Sequence, residues 1–260
     1  MQIKVGLGIT TYNRPEYLKE CIYNILKYSS TKTLVYFDDK TIIYNNWDRE
    51  QIGDSFKKVI KIYTATDTDE DRRGIAYRKN ECLRALKDCD YVFLFDDDCF
   101  PIKAGWIDFF INSGEEHLLY MDKRFHNHKE CLIIMKPDEI KKSEGYSFTA
   151  EGSTDFKGID IYRDCGGVFM FMTKSAIDRV GAFNEKFETY GFEHAEYSNR
   201  ILGKSNNYPC LCGTDKYIFA HDYSTPNHKS SITDEEKNKH VKNNWDKYFK
   251  EPIKYIYLQL

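Results

Sequence analysis

The sequence predicts a doubly wound α/β fold, and three observations carry that prediction. Apolar runs that read as strands alternate with amphipathic stretches that read as helices through the first part of the chain. The run Tyr91-Val92-Phe93-Leu94-Phe95 is apolar without alternation, as expected of a strand buried on both faces of a helix-covered parallel sheet. Strand-like runs end in polar residues, at the carboxyl edge where open α/β sheets gather their ligands. Successive strands joined by helices then imply right-handed crossovers.

The elements follow in order. Residues 3 to 9 alternate as a first strand and lead into Thr10-Thr11-Tyr12-Asn13-Arg14-Pro15. Pro15 suits the first position of a helix, with Asn13 or Arg14 before it, and Leu18, Cys21, Ile22, Ile25 and Leu26 then share one helical face. A second strand is predicted over residues 33 to 37, ending at Asp38-Asp39, and a third over 57 to 63, leading to a polar stretch from 64 to 71. A helix over 72 to 87, with Ile75, Cys82, Leu83 and Leu86 inward, delivers the chain to the strand at 91 to 95. The second half is less regular: a short helix at 104 to 111, strand-like runs at 117 to 121 and 131 to 135, and Gly166-Gly167 opening a buried strand over 168 to 172. A helix from about Lys174, a last core strand at 217 to 220, a charged helix from Thr233 to about Phe249 and an apolar tail from Pro252 complete the chain.

Composition bounds the function. A chain of 260 residues can bury one sizeable core. A formal charge of -3 and a pI near 6.2 give no basic field of the kind that drives nonspecific nucleic-acid binding, although Lys237, Lys239, Lys242 and Lys247 could line a local groove. The 8 cysteines contain no CxxC pair and are expected to be reduced core residues of a reducing compartment, with Cys210 and Cys212 a weak metal candidate. The first residues lack a signal-peptide hydrophobic stretch, and no apolar run approaches the roughly 20 residues of a membrane span, so a soluble cytoplasmic protein, of a bacterium or of a virus-infected host cell, is expected.

The most informative segment is Asp96-Asp97-Asp98, directly after the apolar strand. Three carboxylates packed together would repel one another by several kcal/mol at low effective dielectric unless a cation neutralised them, and a divalent metal is the economical cation. The plain alternative is a polar loop that ends a strand.

Four stretches line up: Thr11-Tyr12-Asn13-Arg14-Pro15, Asp38-Asp39, Asp96-Asp97-Asp98, and Gly166-Gly167 through Arg200. Together they resemble the GT-A class of nucleotide-sugar glycosyltransferases, in the broad family 2 style. Cys165-Gly166-Gly167-Val168, Val180-Gly181-Ala182-Phe183-Asn184 and Tyr190-Gly191-Phe192-Glu193-His194-Ala195-Glu196-Tyr197-Ser198-Asn199-Arg200 are similar to the acceptor-site segments of β-1,4-galactosyltransferases, and the last also to that of polypeptide N-acetylgalactosaminyltransferases.

The resemblance implies a mixed, mostly parallel GT-A sheet flanked by helices, as one domain over residues 1–222 with a C-terminal helix and tail over 223–260. Residues 1–101 would be the nucleotide-binding half and 102–222 the acceptor half. It implies a donor that is a nucleoside-diphosphate sugar, a UDP-sugar first among them, and an acceptor that is a saccharide or a hydroxylated base of viral DNA. Thr11, Tyr12, Asn13 and Arg14 would surround the nucleotide, with Asp38 near the base, Asp96 and Asp97 on the donor, and Arg78, Asn80, Gly166 and Gly167 also lining the donor site. Asp96, Asp98 and the late His221 would hold the metal, and a nitrogen ligand suits Mn2+ better than Mg2+. Glu193, His194 and Glu196 are the catalytic candidates. Inverting relatives carry Glu-Asp where this chain has Glu193-His194 and retaining ones carry Glu-Asn, so the base is the imidazole or Glu193, or the mechanism is a retaining one that needs neither. The rival readings are a nucleotidyltransferase, although Thr10 to Pro15 lacks a Gly-rich phosphate loop, and a sugar-nucleotide-binding module without catalysis.

Overall fold

The computed structural model describes residues 3–29, 58–121, 165–187, 189–201, 217–221, 233–250 and 256. The expected strands at 33 to 37 and 131 to 135, Asp38-Asp39, and Cys210 with Cys212 lie outside the described residues.

The first unit is β1 (Ile3–Tyr12), α1 (Pro15–Tyr28), β2 (Lys58–Asp67), α2 (Ile75–Ala85) and β3 (Tyr91–Asp96). Then come β4 (Cys99–Pro101), α3 (Trp106–Ile111), β5 (His117–Met121), β6 (Cys165–Thr173) and α4 (Lys174–Val180). A 3-10 turn (Glu185–Phe187), α5 (Glu193–Ile201), β7 (Ile218–Ala220) and α6 (Asp234–Lys250) follow. The third predicted strand extends further than its apolar run, to Asp67, because its register with β1 continues to Tyr12.

The main sheet has the order β2-β1-β3-β6-β5. β2 and β3 both run parallel to β1, β6 is antiparallel to β3, and β5 is antiparallel to β6. Only β6 therefore opposes the common direction, and the sheet is mixed and mostly parallel. β4 and β7 form a separate antiparallel pair that sets Cys99 opposite Ala220.

Both faces of the sheet are covered, which explains the uninterrupted apolar run of β3. Phe93 and Phe95 pack with Val5, Leu7, Ile9, Cys21, Ile25, Trp106 and Phe110 on one side. Val92 and Leu94 pack with Cys82, Leu83, Leu86, Met170, Met172 and Phe183 on the other. Gly8 lets α2 lie close, since a Cβ there would meet the Cys82 Cβ at 2.6 Å. Cys21, Cys82, Cys89 and Cys99 are buried free thiols, as the composition suggested for these four. Among the described residues no helix is long and apolar enough to cross a membrane.

The reversed direction of β6 matters for function. Pairing of Phe95 with Phe169 brings the start of β6, at Gly166 and Gly167, beside the carboxyl end of β3 at Asp96. Residues far apart in sequence thus share one edge.

Candidate active site

That edge gathers the acids. Thr10 pairs with Asp96 across β1 and β3, and its hydroxyl donates to the Asp96 carboxylate at 2.9 Å. The backbone N–H of Asp97 donates to the Thr10 carbonyl at 3.0 Å, continuing the ladder into the turn. Asp97 is fully buried, takes the Thr11 hydroxyl at 2.6 Å, and is gripped by the Arg14 guanidinium. The same guanidinium donates to Asp98 at 2.9 Å.

Two protein cations therefore offset part of the charge of this cluster. Arg14 serves Asp97 and Asp98, and the Lys79 ammonium lies 4.0 Å from Asp96. Burial pushes the Asp97 carboxyl up to about 7, with Arg14 opposing the rise. Burial also raises Asp96, against the pull of Lys79. Arg14 and Lys79 thus bring two positive charges to the three adjacent acids.

The expected metal ligands are placed unequally. His221 donates its backbone N–H to the Asp98 carbonyl at 2.9 Å, so these two residues adjoin across the β4–β7 pair. A carboxylate and an imidazole side by side are a fitting donor pair for a transition-metal ion. Their side chains, however, engage Arg14 and, at 2.8 Å from the His221 Nε2, Glu20. Asp96 is turned to Thr10 and Lys79. Among the described residues no three His, Cys, Asp or Glu side chains are arranged to hold a metal ion.

The loop after β1 is laced to its surroundings. The Tyr12 hydroxyl donates to Asp69, and the Asn13 amide donates to the same carboxylate at 3.0 Å. Asn13 adopts a left-handed φ of 49°, which asparagine tolerates better than most residues. Asp67, at the end of β2, accepts the backbone N–H groups of Arg73 and Gly74 and the Arg78 guanidinium, fixing the segment that starts α2. Arg78 is spent on Asp67, Asp71 and Glu81. Asn80 faces away from the acids: its amide exchanges bonds with the Phe183 backbone and donates to Glu185 at 2.8 Å. Both residues expected to line the donor site are thus part of the frame, because they leave α2 on other faces than Lys79.

The motif expected on the acceptor side sits at the start of α5. Phe192, immediately before it, has a φ of 68°, a costly conformation for a bulky residue. Its carbonyl accepts the Glu196 N–H at 2.9 Å, and the buried Asn244 amide of α6 donates to the carbonyls of Phe187, Tyr190 and Gly191, bracing the approach. Glu193 is buried and bonded to the Lys79 ammonium at 3.1 Å, while its Oε1 lies 3.5 Å from Nδ1 of His194. Burial would raise the Glu193 carboxyl, but Lys79 and His194 outweigh it and hold it well below the usual carboxylate range. The imidazole of His194 rests on Gly167, where an added Cβ would clash. Glu196 is different. Both its oxygens are forked by Arg200, at 2.6 and 2.9 Å, and Arg200 also binds the Val180 and Ala182 carbonyls. It closes a structural clamp, so the catalytic role expected of it does not fit its position.

Sequence reasoning missed Lys79, although both its flanking neighbours Arg78 and Asn80 were singled out. Its signal was present: Lys79 falls on the inward stripe of α2 with Ala76, Cys82 and Leu83, and an ionised group on an apolar stripe needs a buried partner.

No protein-family model matches the chain. A glycosyltransferase of Acanthamoeba polyphaga mimivirus, R363, itself uncharacterised, is 24% identical over 210 residues, covering 77% of this chain and 73% of the viral protein. The chain is similar to glycosyltransferases. Among solved structures, the catalytic domain of Drosophila β1,4-galactosyltransferase 7 with xylobiose superposes with a TM-score of 0.48 at 12% identity, over 98% of this chain and 83% of that one. TarS of S. aureus gives 0.45 at 15%, over 84% and 60%. A mannosyltransferase of Pyrobaculum calidifontis with GDP-Man and Mn2+ gives 0.43 at 14%, over 82% and 57%.

Proposed function

We propose that the chain is a glycosyltransferase that moves a sugar from a nucleoside-diphosphate sugar to an acceptor hydroxyl. The observation that carries the reading is the span of Lys79, which lies 4.0 Å from Asp96 at the strand end and 3.1 Å from Glu193 at the start of α5. One cation thereby joins a donor-side acid cluster to an acceptor-side carboxylate and imidazole. The similarity to the viral glycosyltransferase supports the same class. In this proposal residues 1–101 hold the donor, 102–222 the acceptor, and 223–260 brace the acceptor loop.

The acceptor hydroxyl attacks the anomeric carbon, its proton passes to Nε2 of His194, and the bond to the diphosphate breaks with its electron pair on the leaving oxygen. Developing imidazolium is stabilised by the ionised Glu193 beside Nδ1. Thr11 and Arg14, at the carboxyl edge of β1 beside Asp97 and Asp98, would meet the nucleotide and its phosphates. A divalent cation, Mn2+ or Mg2+, would be held by Asp98 and His221 and would neutralise charge on the leaving diphosphate. The acceptor is a saccharide or a hydroxylated base of viral DNA.

The test is donor turnover across UDP-, GDP- and dTDP-sugars with Mn2+ or Mg2+, with oligosaccharides and hydroxymethylated DNA as acceptors. Release of nucleoside diphosphate is expected. Binding without release would make the protein a binding module, and pyrophosphate release from a nucleoside triphosphate would make it a nucleotidyltransferase.

A further inference from the structure

Lys79 is an unusual group to find where it is. Its side chain is 1% exposed, on the inward stripe of α2, and burial alone disfavours its charge. Such a cation persists when it is hydrogen-bonded and paired with opposite charge, and here it is both. Nζ donates to the Gly167 carbonyl at 3.0 Å and to Glu193 Oε1 at 3.1 Å, with Asp96 at 4.0 Å.

Those contacts converge on His194 from two sides. Gly167, whose carbonyl Lys79 holds, is the floor under the imidazole: a Cβ there would lie 2.4 Å from Cγ and 2.7 Å from Nδ1. Glu193 Oε1, the oxygen that Lys79 holds, lies 3.5 Å from the same Nδ1. An ionised carboxylate is a pure acceptor, so it favours the tautomer with the proton on Nδ1. Among the described residues, three groups bear on His194. Glu193 comes from its own helix, Lys79 stands behind Glu193, and from β5 comes His117, which Phe171 and Ser198 bond on both ring nitrogens.

Resting on the reading of His194 as the base, we propose that Lys79 is a positioning residue: by fixing Glu193 against Nδ1 and Gly167 beneath the ring, it selects the His194 tautomer that leaves Nε2 open to the acceptor proton. The three elements α2, β6 and α5 that meet at this ammonium make the acceptor site respond to a residue that touches neither substrate.

The decisive measurement is 15N NMR of histidine-labelled protein at pH 8, with His194→Ala supplying the assignment. Wild type should show His194 protonated on Nδ1, and Lys79→Met should shift it toward protonation on Nε2. Lys79→Met should also lower kcat by roughly tenfold or more while donor KM stays within about threefold, and Lys79→Arg, which keeps the charge, should recover part of the loss. A folded Lys79→Met protein with an unchanged His194 tautomer overturns the proposal. Should Lys79→Met not fold, Glu193→Gln, which breaks the link between Lys79 and Nδ1, answers the same question: His194 should shift toward protonation on Nε2, and an unchanged tautomer overturns the proposal. The tautomer readout is independent of turnover. If His194→Ala retains full activity, the base reading fails while the effect of Lys79 on the ring stands or falls by NMR alone.

Discussion

The ring of His194 lies against the Cα of Gly167, so closely that a Cβ at 167 would sit 2.4 Å from the imidazole Cγ. Gly167 is not among the residues of positive φ, so its glycine is a matter of space rather than backbone freedom. Gly167→Ala should therefore push the ring aside while the strand survives. The expected result is a kcat loss of roughly 100-fold, the scale on which an ångström of misplacement acts, with donor affinity by calorimetry nearly unchanged. An alanine enzyme with wild-type kcat would separate His194 from the chemistry.

His117 makes a prediction about pH and stability. Its Nδ1 lies 2.8 Å from the Phe171 carbonyl, which can only accept, so Nδ1 carries the proton and Nε2 accepts from the Ser198 hydroxyl at 2.7 Å. Burial drives the imidazole down to about 4, although the Phe171 bond opposes this. The unfolded chain, titrating near 6.5, then binds a proton that the folded state refuses. Stability is full above about pH 6.5 and is lost as pH falls toward 4, by an upper bound of about 3 kcal/mol from this group. His117→Asn should be less stable at pH 8 but should show a shallower loss between pH 6.5 and 4.5 in urea titrations. Equal slopes for both proteins would remove His117 from the account.

The sheet was largely legible because burial on both faces leaves a plain mark: Val92 to Phe95 carry no polar residue, and the structure buries each of them. The direction of β6 was not legible, since Val168 to Met172 would be equally apolar in either sense. The adjacency of the three acids was legible, but their protein partners were not, because Arg14 and Lys79 are distant in sequence and no local pattern says that they reach Asp97 and Asp96. Glu196 misled for a related reason. It shares the first turn of α5 with Glu193, yet only its spacing of four to Arg200 distinguished a frame residue from a site residue.

Glu196→Gln should accordingly act on stability rather than chemistry. Removing its charge leaves the Arg200 guanidinium buried with a weaker partner, an effect on the order of 3 kcal/mol for broken buried pairs. Thermal melting should drop by several degrees while kcat, measured well below the melting point, stays within about twofold. A large kcat loss at unchanged melting temperature would return Glu196 to the catalytic candidates.

Asp98 and His221 test the metal. On the proposed function, Asp98→Asn should nearly abolish turnover in Mn2+ and weaken donor binding, because it would remove a charged oxygen from the ion that neutralises the leaving diphosphate. His221→Ala should be milder, raising the Mn2+ concentration needed for half activity. Wild-type activity and metal dependence in Asp98→Asn, or an unchanged Mn2+ titration in His221→Ala, would take that residue out of the metal site and leave Arg14 as the cation at the strand end.

The choice of base is decided by the pH profile. Glu193 is tied to Lys79 and held far below ordinary carboxylates, which makes it a weak proton acceptor in the working range. His194 is its neighbour, with the ring partly open to solvent. If the imidazole takes the acceptor proton, kcat/KM must fall on the acid side as the ring becomes charged. His194→Ala should reduce kcat roughly 100-fold or more with donor affinity preserved, and the acid limb should disappear. Glu193→Gln keeps the shape of the side chain but loses the charge that favours imidazolium, so its acid limb should move to lower pH as the ring becomes harder to protonate. If Glu193 were itself the base, Glu193→Gln would be the more damaging change and His194→Ala would retain near-normal kcat. Both variants measured with one acceptor, alongside donor calorimetry, discriminate the two assignments because the limbs move in opposite ways: one is erased by loss of the ring, the other by loss of the carboxylate.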